Sequence, residues 1–411
     1  FQENIIGGGD CFISKFTSSG SIVWSTYFGG TGNEYNTINR ISFDGLNNIY
    51  ISGTIFSPNM ATTGVFQETP NNSSSQISKF DLNGNRIWTT YYGLNIPIWG
   101  LKANSVNVYV ASHTNDCPPN WSYNTYFGTS NGFKPLPENC REIYLTKFNT
   151  NGQREWSTYY GGNLTESVQL KNSLDLKNDK IFFSGTAPNY TNQEIATINT
   201  YQPNNNGVSN FIVQFSQDGI RNWGTYNGDF NGASTLGSSS HVQCDRNSDS
   251  FYNYGSTALQ SNISTPDGYQ TIKNGLYDGD AFICKFTDQN TKSWGTYYGG
   301  ELDEKDIDFH PYNSGNKFYI VGSTQSSTQI ATTNGLQQIK QVFDNSITGT
   351  YNIFIAHFEP NPLSNESFFE NSTIIYPNPI DNYFTIKNNN TTSENFNYRI
   401  IDVTGRVVKN G

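Results

Sequence analysis

The sequence has little charge, a single methionine and no long apolar run. Charged residues are 14% of the 411, and acids outnumber bases 34 to 24 for a net charge of −10. That balance argues against a nucleic-acid partner, because phosphate binding wants clustered Lys and Arg. No stretch approaches the roughly eighteen apolar residues of a membrane-spanning helix, so no membrane span is expected. Cysteine is scarce and odd in number, five, so at least one is unpaired within the chain. No Cys-x-x-Cys pair occurs, which removes a common metal and dithiol signature. Cys117 and Cys140 bracket one insertion and could staple it as a disulfide; Cys11, Cys244 and Cys284 fall in expected strands, where a thiol packs as a small hydrophobe. Catalytic signatures are thin as well. His113, His241, His310 and His357 share no common spacing, and no nucleophile elbow or metal-ligand motif is present. His310 beside Asp308 is the only His–acid pairing worth naming, and such a pair is more often structural than catalytic. No catalytic residue is assigned and no cofactor is expected; a structural or ligand-bridging calcium ion stays open.

What the sequence has is repetition. Aromatics reach 15%, with 38 Gly, and the abundance of Tyr, Phe, Thr, Ile and Val favours strands and turns. The stretch Phe16…Gly20…Trp24-Ser-Thr-Tyr27 returns at Phe80…Gly84…Trp88, Phe148…Gly152…Trp156, Phe215…Gly219…Trp223 and Phe286…Asn290…Trp294. The Trp residues recur every 64 to 71 residues, a period that marks a repeat architecture. Each copy reads as a Phe-ending strand, a tight turn, a Trp strand, a weaker strand such as Asn39–Phe43, and a strand such as Ile49-Tyr-Ile-Ser-Gly-Thr54. Four short strands at this period suit an all-β propeller blade, where radial repetition leaves only short edges. The Phe–Trp pair then packs blade against blade. Phe1-Gln2 repeats in Phe66-Gln67, Tyr201-Gln202 and Tyr269-Gln270, so the sequence starts inside a repeat and further repeats are expected upstream. A sixth Phe-type strand, Ile353–Phe358, has no Trp partner and would compete with residues 12–16 for one slot in a closed ring. The expected organisation is a propeller over 1–360, a linker over 361–373, and a cut-off β-sandwich-like tail over 374–411, too short for its own core.

Two resemblances follow from these motifs. Phe-x-x-x-Gly-x-x-x-Trp-Ser-Thr-Tyr-x-Gly-Gly, then Ile-Tyr-Ile-Ser-Gly-Thr and Ala-Thr-Thr-Gly-x-Phe-Gln, resembles the SBBP (seven-bladed β-propeller) repeat family over residues 1 to about 360. Tyr376-Pro377-Asn378-Pro379 with Asp402-Val-Thr-Gly405-Arg406 is similar to the type A C-terminal sorting domain of the Bacteroidetes type IX secretion system. That resemblance implies a secretion-machinery partner, export across the outer membrane, and release or attachment at the cell surface. The copy stops before the later strands of such a domain. Neither family implies one defined activity.

Strand parity puts the longer, variable loops on one rim, the usual place for binding. There Glu34, Glu166 and Glu304 each stand four residues after a Gly-Gly pair. They form either a partial ring of carboxylates for a cation or polyol, or loop braces that accept backbone N–H bonds. The second and fourth hairpins lack the Glu. Trp99, Trp121 and Tyr123 fall in the same rim's loops and could stack on a sugar or a protein, or pack the Cys117–Cys140 insertion down. The acidic run Glu301–Asp308 reads as a solvated strand edge. The expected function is a secreted or surface-attached binding or scaffold module for a glycan or protein. The alternative is an extracellular polysaccharide hydrolase or lyase, which would need two convergent carboxylates in a deep pocket.

Overall fold

The computed structural model describes residues 1–32, 34, 38–70, 74–93, 97–114, 126–138, 142–162, 173–187, 195–230, 239–274, 279–312, 317–333, 335–340, 351–359, 373–376, 385–388, 399–401 and 407–410. Two compact units divide at Phe358/Glu359. The larger is an all-β propeller. Strands β1 (Cys11–Phe16) and β2 (Ile22–Phe28) form a two-stranded sheet. Blade 1 follows as β3 (Ile38–Phe43), β4 (Asn48–Ile55), β5 (Ser74–Asp81) and β6 (Arg86–Tyr91), hydrogen-bonded in that order. Blade 2 is β7 (Gly100–Ala103), β8 (Asn107–His113), β9 (Ile143–Asn149) and β10 (Arg154–Tyr160). Blade 3 is β11 (Leu174–Lys177), β12 (Lys180–Ala187), β13 (Val208–Ser216) and β14 (Arg221–Phe230). Blade 4 is β15 (His241–Cys244), β16 (Ser250–Thr257), β17 (Asp280–Thr287) and β18 (Lys292–Tyr298). Blade 5 has three described strands, β19 (Glu304–Tyr312), β20 (Lys317–Thr324) and β21 (Asn352–Phe358). All pairings are antiparallel.

The blades are offset from the sequence repeat by two strands. The weak strand opens each sheet and the Trp strand closes it, so the Phe–Trp hairpin is the outer half of a blade. The first strands of successive blades lie side by side, β3 against β7, β7 against β11 and β11 against β15, which places them innermost. The hairpin turn is built locally. The residue after the Phe accepts the N–H three positions on: Gly84 N donates to Asp81 O, Gly152 N to Asn149 O, Gly219 N to Ser216 O and Asn290 N to Thr287 O. The donor residue has positive φ, 82° at Gly84 and 58° at Asn290, which Asn tolerates almost as Gly does.

The outer hairpins join neighbouring blades. The Trp24 indole donates to Leu82 O at 2.8 Å, Trp88 to Thr150 O at 2.9 Å, Trp156 to Gln217 O at 2.9 Å and Trp223 to Asp288 O at 3.2 Å. Each acceptor lies in the turn of the following hairpin. The cross-strand partner of the Trp helps in three cases, where Lys15, Lys79 and Gln214 reach the same carbonyls as their Trp neighbours. A Cβ at Gly84, Gly152 or Gly219 would meet the preceding blade's indole at 3.0 to 3.2 Å, whereas one at Gly20 would meet nothing within 4 Å. Glycine here serves both the turn and the close approach of the ring.

The Phe-Gln phrase docks on the outer edge of its blade. Gln2, Gln67, Gln202 and Gln270 N–H donate to Thr26, Thr90, Thr225 and Thr296 Oγ1 at 2.8 to 2.9 Å. Lys134 does the same to Thr158, so Phe133-Lys134 is a fifth copy that the sequence disguises. Strands β1 and β21 each pair within their own sheets, with β2 and β20. Buried side chains form five clusters, rich in Tyr and Phe, between successive sheets.

The smaller unit contains two hairpins, β22 (Thr373–Tyr376) with β23 (Thr385–Asn388), and β24 (Arg399–Ile401) with β25 (Val407–Asn410). Pro377, Asn378, Pro379, Gly405 and Arg406 lie outside the described residues. No helix among the described residues is long and apolar enough to cross a membrane.

Candidate functional site

The innermost strands carry the polar surface at the propeller's axis. Their pairing with the second strands aligns one position in every blade. Ser42 pairs with Tyr50, Lys102 with Tyr109, Asp175 with Phe182, Gln243 with Tyr252 and His310 with Tyr319. Two residues earlier stand Arg40, Gly100, Ser173, His241 and Asp308. The residues between are apolar; Leu101, Leu174, Val242 and Phe309 are buried in the clusters between sheets. Period-two alternation thus turns one side of these four inner strands to the core; β3 differs, with Ile41 and Phe43 exposed and Ser42 buried.

Lys102, Gln243, Asp308 and His310 line one cavity of about 440 Å³, together with Val242, Phe309, Tyr319 and Val321. Asp175, 1% exposed, sits beside this group and is held by charge. Lys102 Nζ lies 3.3 Å from its Oδ1, Arg246 binds both oxygens at 2.8 and 2.9 Å, and Cys244 N donates at 2.8 Å. Lys102 bridges this buried acid and the cavity. Burial pulls the Arg40 guanidinium down to about 10, and the Asp308 charge opposes that shift.

Trp99 immediately precedes the inner strand of blade 2. Its carbonyl accepts from Arg40 Nε at 2.6 Å, and the Arg40 guanidinium lies 5.9 Å from its ring centroid. Its indole N–H is buried with no hydrogen-bond partner among the described residues. Trp99 is not on the wall of that cavity; its ring packs against the core between blades 2 and 3.

Glu34 and Glu304 are buried braces of their own loops. Glu34 accepts from Gly30 N at 3.3 Å and from the Ser57 hydroxyl. Glu304 accepts from Gly300 N at 3.0 Å, Thr324 Oγ1 at 2.6 Å and Ser326 Oγ at 2.7 Å. Neither is brought to the axial cavity. Glu166, Trp121, Tyr123, Cys117 and Cys140 lie outside the described residues. Cys244 and Cys284 are free thiols, Cys11 Sγ lies 3.5 Å from Glu34 O, and burial pushes the Cys244 thiol well up.

The acidic run is in part the solvated strand edge expected: β19 is the first strand of its sheet and Glu301, Asp306 and Asp308 are exposed, while Glu304 is buried. Glu301 accepts from Ser327 N at 2.7 Å and Thr328 Oγ1 at 2.6 Å, Asp303 from Gly279 N at 2.8 Å and Tyr351 Oη at 2.8 Å, and β19 is an inner strand. Glu301 and Asp303 thus brace loops, while Asp308 accepts from Phe309 N within its own strand and stays exposed. His310 and Asp308 do share one face, as alternate residues of β19 lining the cavity. Sequence reading missed Arg40, Lys102, Asp175 and Gln243. Their signal was the alternation of polar and apolar residues in the strand dismissed as weak.

A family model described as a beta-propeller repeat matches residues 23–56, and one described as a secretion system C-terminal sorting domain matches 374–411. No curated protein matches the chain. Similar solved structures include the lignostilbene dioxygenase of Pseudomonas brassicacearum, at 9% identity and TM-score 0.35, covering 71% of this chain and 58% of that one. A levansucrase variant of B. megaterium has 8% identity and TM-score 0.33, covering 71% and 79%. The endosialidase of phage phi92 has 8% identity and TM-score 0.33, covering 97% and 61%. The chain thus spans less than two thirds of the dioxygenase and of the endosialidase. It carries SBBP-type β-propeller repeats followed by a type IX secretion system sorting domain, which engages the secretion machinery and addresses the protein to the extracellular space or the cell surface.

Proposed function

We propose that this secreted propeller is a binding module that takes a glycan in its axial cavity, entered from the rim of longer loops past Trp99 and Arg40. The observation that supports it is the shared cavity of about 440 Å³, within the size range of ligand sites, with Lys102, Gln243, Asp308 and His310 as hydrogen-bonding groups on its wall. Donors and acceptors converge there, as a polyol requires, and Trp99 holds Arg40 through its carbonyl at 2.6 Å at the start of blade 2. The alternative, a polysaccharide hydrolase, would use two carboxyl groups flanking the scissile bond. Asp308 is the one carboxylate on the described cavity wall, and Asp175 is already saturated by Lys102 and Arg246.

The test is calorimetric titration of the full chain against a panel of neutral β-glucans and uronate polymers, with Trp99→Ala and Gln243→Ala alongside. At least a tenfold loss of affinity in each variant is expected. Binding that both variants leave unchanged would remove the axial site. Appearance of reducing ends during prolonged incubation would replace the binding reading with the hydrolase.

A further inference from the structure

Two acids travel together through the repeats. Hairpins one, three and five carry an acid six residues before the Phe, namely Asp10, Glu142 and Asp280, and a Glu eighteen residues after it, namely Glu34, Glu166 and Glu304. Hairpins two and four have Ser74 and Ser209 at the first place, and Ile98 and Ala233 at the second. Like charges that appear and vanish as a pair call for a cation or a shared proton between them.

In hairpin five the two acids meet. Asp280 and Glu304 are both 0% exposed. Glu304 N donates to Gly279 O, the carbonyl just before Asp280, at 2.6 Å, and Glu34 N makes the matching bond to Gly9 O at 2.8 Å. A Cβ on Gly299 would sit 2.5 Å from Glu304 Oε2 and 2.8 Å from Asp280 Oδ1, so both oxygens point at the space this glycine leaves open. Asp280 Oδ2 accepts from Gln270 Nε2 at 2.8 Å and Asn274 N at 2.9 Å, but Oδ1 has no hydrogen-bond partner among the described residues. A carboxyl pair sharing a proton would be hydrogen-bonded oxygen to oxygen. Glu304 Oε2 instead accepts from Gly300 N at 3.0 Å.

Hairpin three fills the corresponding place with its own cation. Lys134, the counterpart of Gln270, puts its ammonium 3.3 Å from Glu142 Oε1 and 3.0 Å from Gly161 O. Hairpin five has the uncharged Gln270 instead; nearby Lys273, whose Nζ donates to Asn274 O at 2.9 Å, attracts the Asp280 carboxylate from the side, but burial outweighs that attraction.

We propose that Asp280 and Glu304 hold a calcium ion between blade 4 and the loop that enters blade 5. Hard oxygen ligands suit Ca²⁺, with neighbouring carbonyls and water completing the shell, and a site with two carboxylates belongs with the weak sites of extracellular modules, roughly 10⁻⁴–10⁻³ M. The secretion address supplies that setting. Without an ion, burial pushes the Asp280 carboxyl up to about 7, and burial also raises Glu304.

The experiment uses the full chain, stripped with EDTA, dialysed and titrated with CaCl₂ by calorimetry, with melting followed at 0 and 10 mM Ca²⁺. We expect a rise in Tm of about 2–4 °C. The double variant Asp280→Asn/Glu304→Gln should bind one equivalent fewer. Asp280→Ser installs the residue that hairpins two and four carry there, and it should lose the same equivalent while staying folded. Unchanged stoichiometry in both variants, or no Ca²⁺ response in the wild type, overturns the site. So does a Tm indifferent to Ca²⁺ that falls from pH 4 to 7, since the pair would then hold a proton.

Discussion

The outer and inner strands of each blade follow opposite rules. The outer hairpin is written almost identically five times, and its indole–carbonyl bonds fasten one blade to the next. The inner strand changes at every copy, from Ser42 to Lys102, Asp175, Gln243 and His310 at one aligned position. Repetition marks what every blade must do for its neighbour. Variation marks where the blades jointly build something no single blade has.

The largest test of this contrast is Trp156→Ala. Trp156 is 4% exposed, packs in the cluster between blades 2 and 3, and donates to Gln217 O. Its loss should cost about 3–5 kcal/mol in denaturant unfolding. A cost near zero would mean that the hairpins do not fasten the blades.

Glycine substitution separates turn geometry from ring contact. Gly20→Ala meets only the left-handed penalty of about 1–2 kcal/mol, because nothing stands within 4 Å of its Cβ. Gly219→Ala meets the same φ penalty and the Trp156 ring at 3.1 Å, so it should cost at least about 1 kcal/mol more by the overpacking scale. Equal losses in thermal melts would assign the glycine to the turn alone.

A smaller bond reaches the same kind of turn. Lys180 Nζ lies 2.5 Å from Asp288 Oδ2, and the hydrogen bond from Lys180 holds the Asp288 carboxyl below its ordinary 3.8. A depressed carboxyl stabilises the fold above its unfolded value and loses that contribution as pH falls below about 3.8 through the folded value. Both side chains are partly exposed, so the pair is worth about 0.5–1 kcal/mol. Lys180→Met should flatten the acid limb of stability measured from pH 5 to 2; an unchanged limb would place the titration elsewhere.

The fold was legible because blade packing repeats one solution with one set of residues. The Phe, the turn glycine and the Trp each answer a local demand, and a demand met five times leaves a period in the sequence. The frame was less legible. Strand pairing, which period alone does not specify, groups each Phe–Trp hairpin with the two strands before it. Lys134 escaped notice for a related reason: its backbone does what Gln2 and Gln270 do, while its side chain supplies a different charge. Glu34 and Glu304 stood out in sequence because they recur, and recurrence is the mark of bracing. The cavity wall draws its side chains from β7, β15, β19 and β20, far apart in sequence, so no local stretch announces it.

The smallest effect on stability is expected at that wall, and it is the sharpest test of the contrast. Gln243 is half-buried on the cavity side of β15, and no cluster between sheets includes it. Gln243→Ala should therefore stay within about 0.5 kcal/mol of wild type in unfolding, as surface substitutions do. The same variant is expected to lose glycan affinity tenfold. A Gln243→Ala protein that melts several degrees lower would show that the inner strands also carry structural load, and the division between outer fastening and inner recognition would fail at its simplest point.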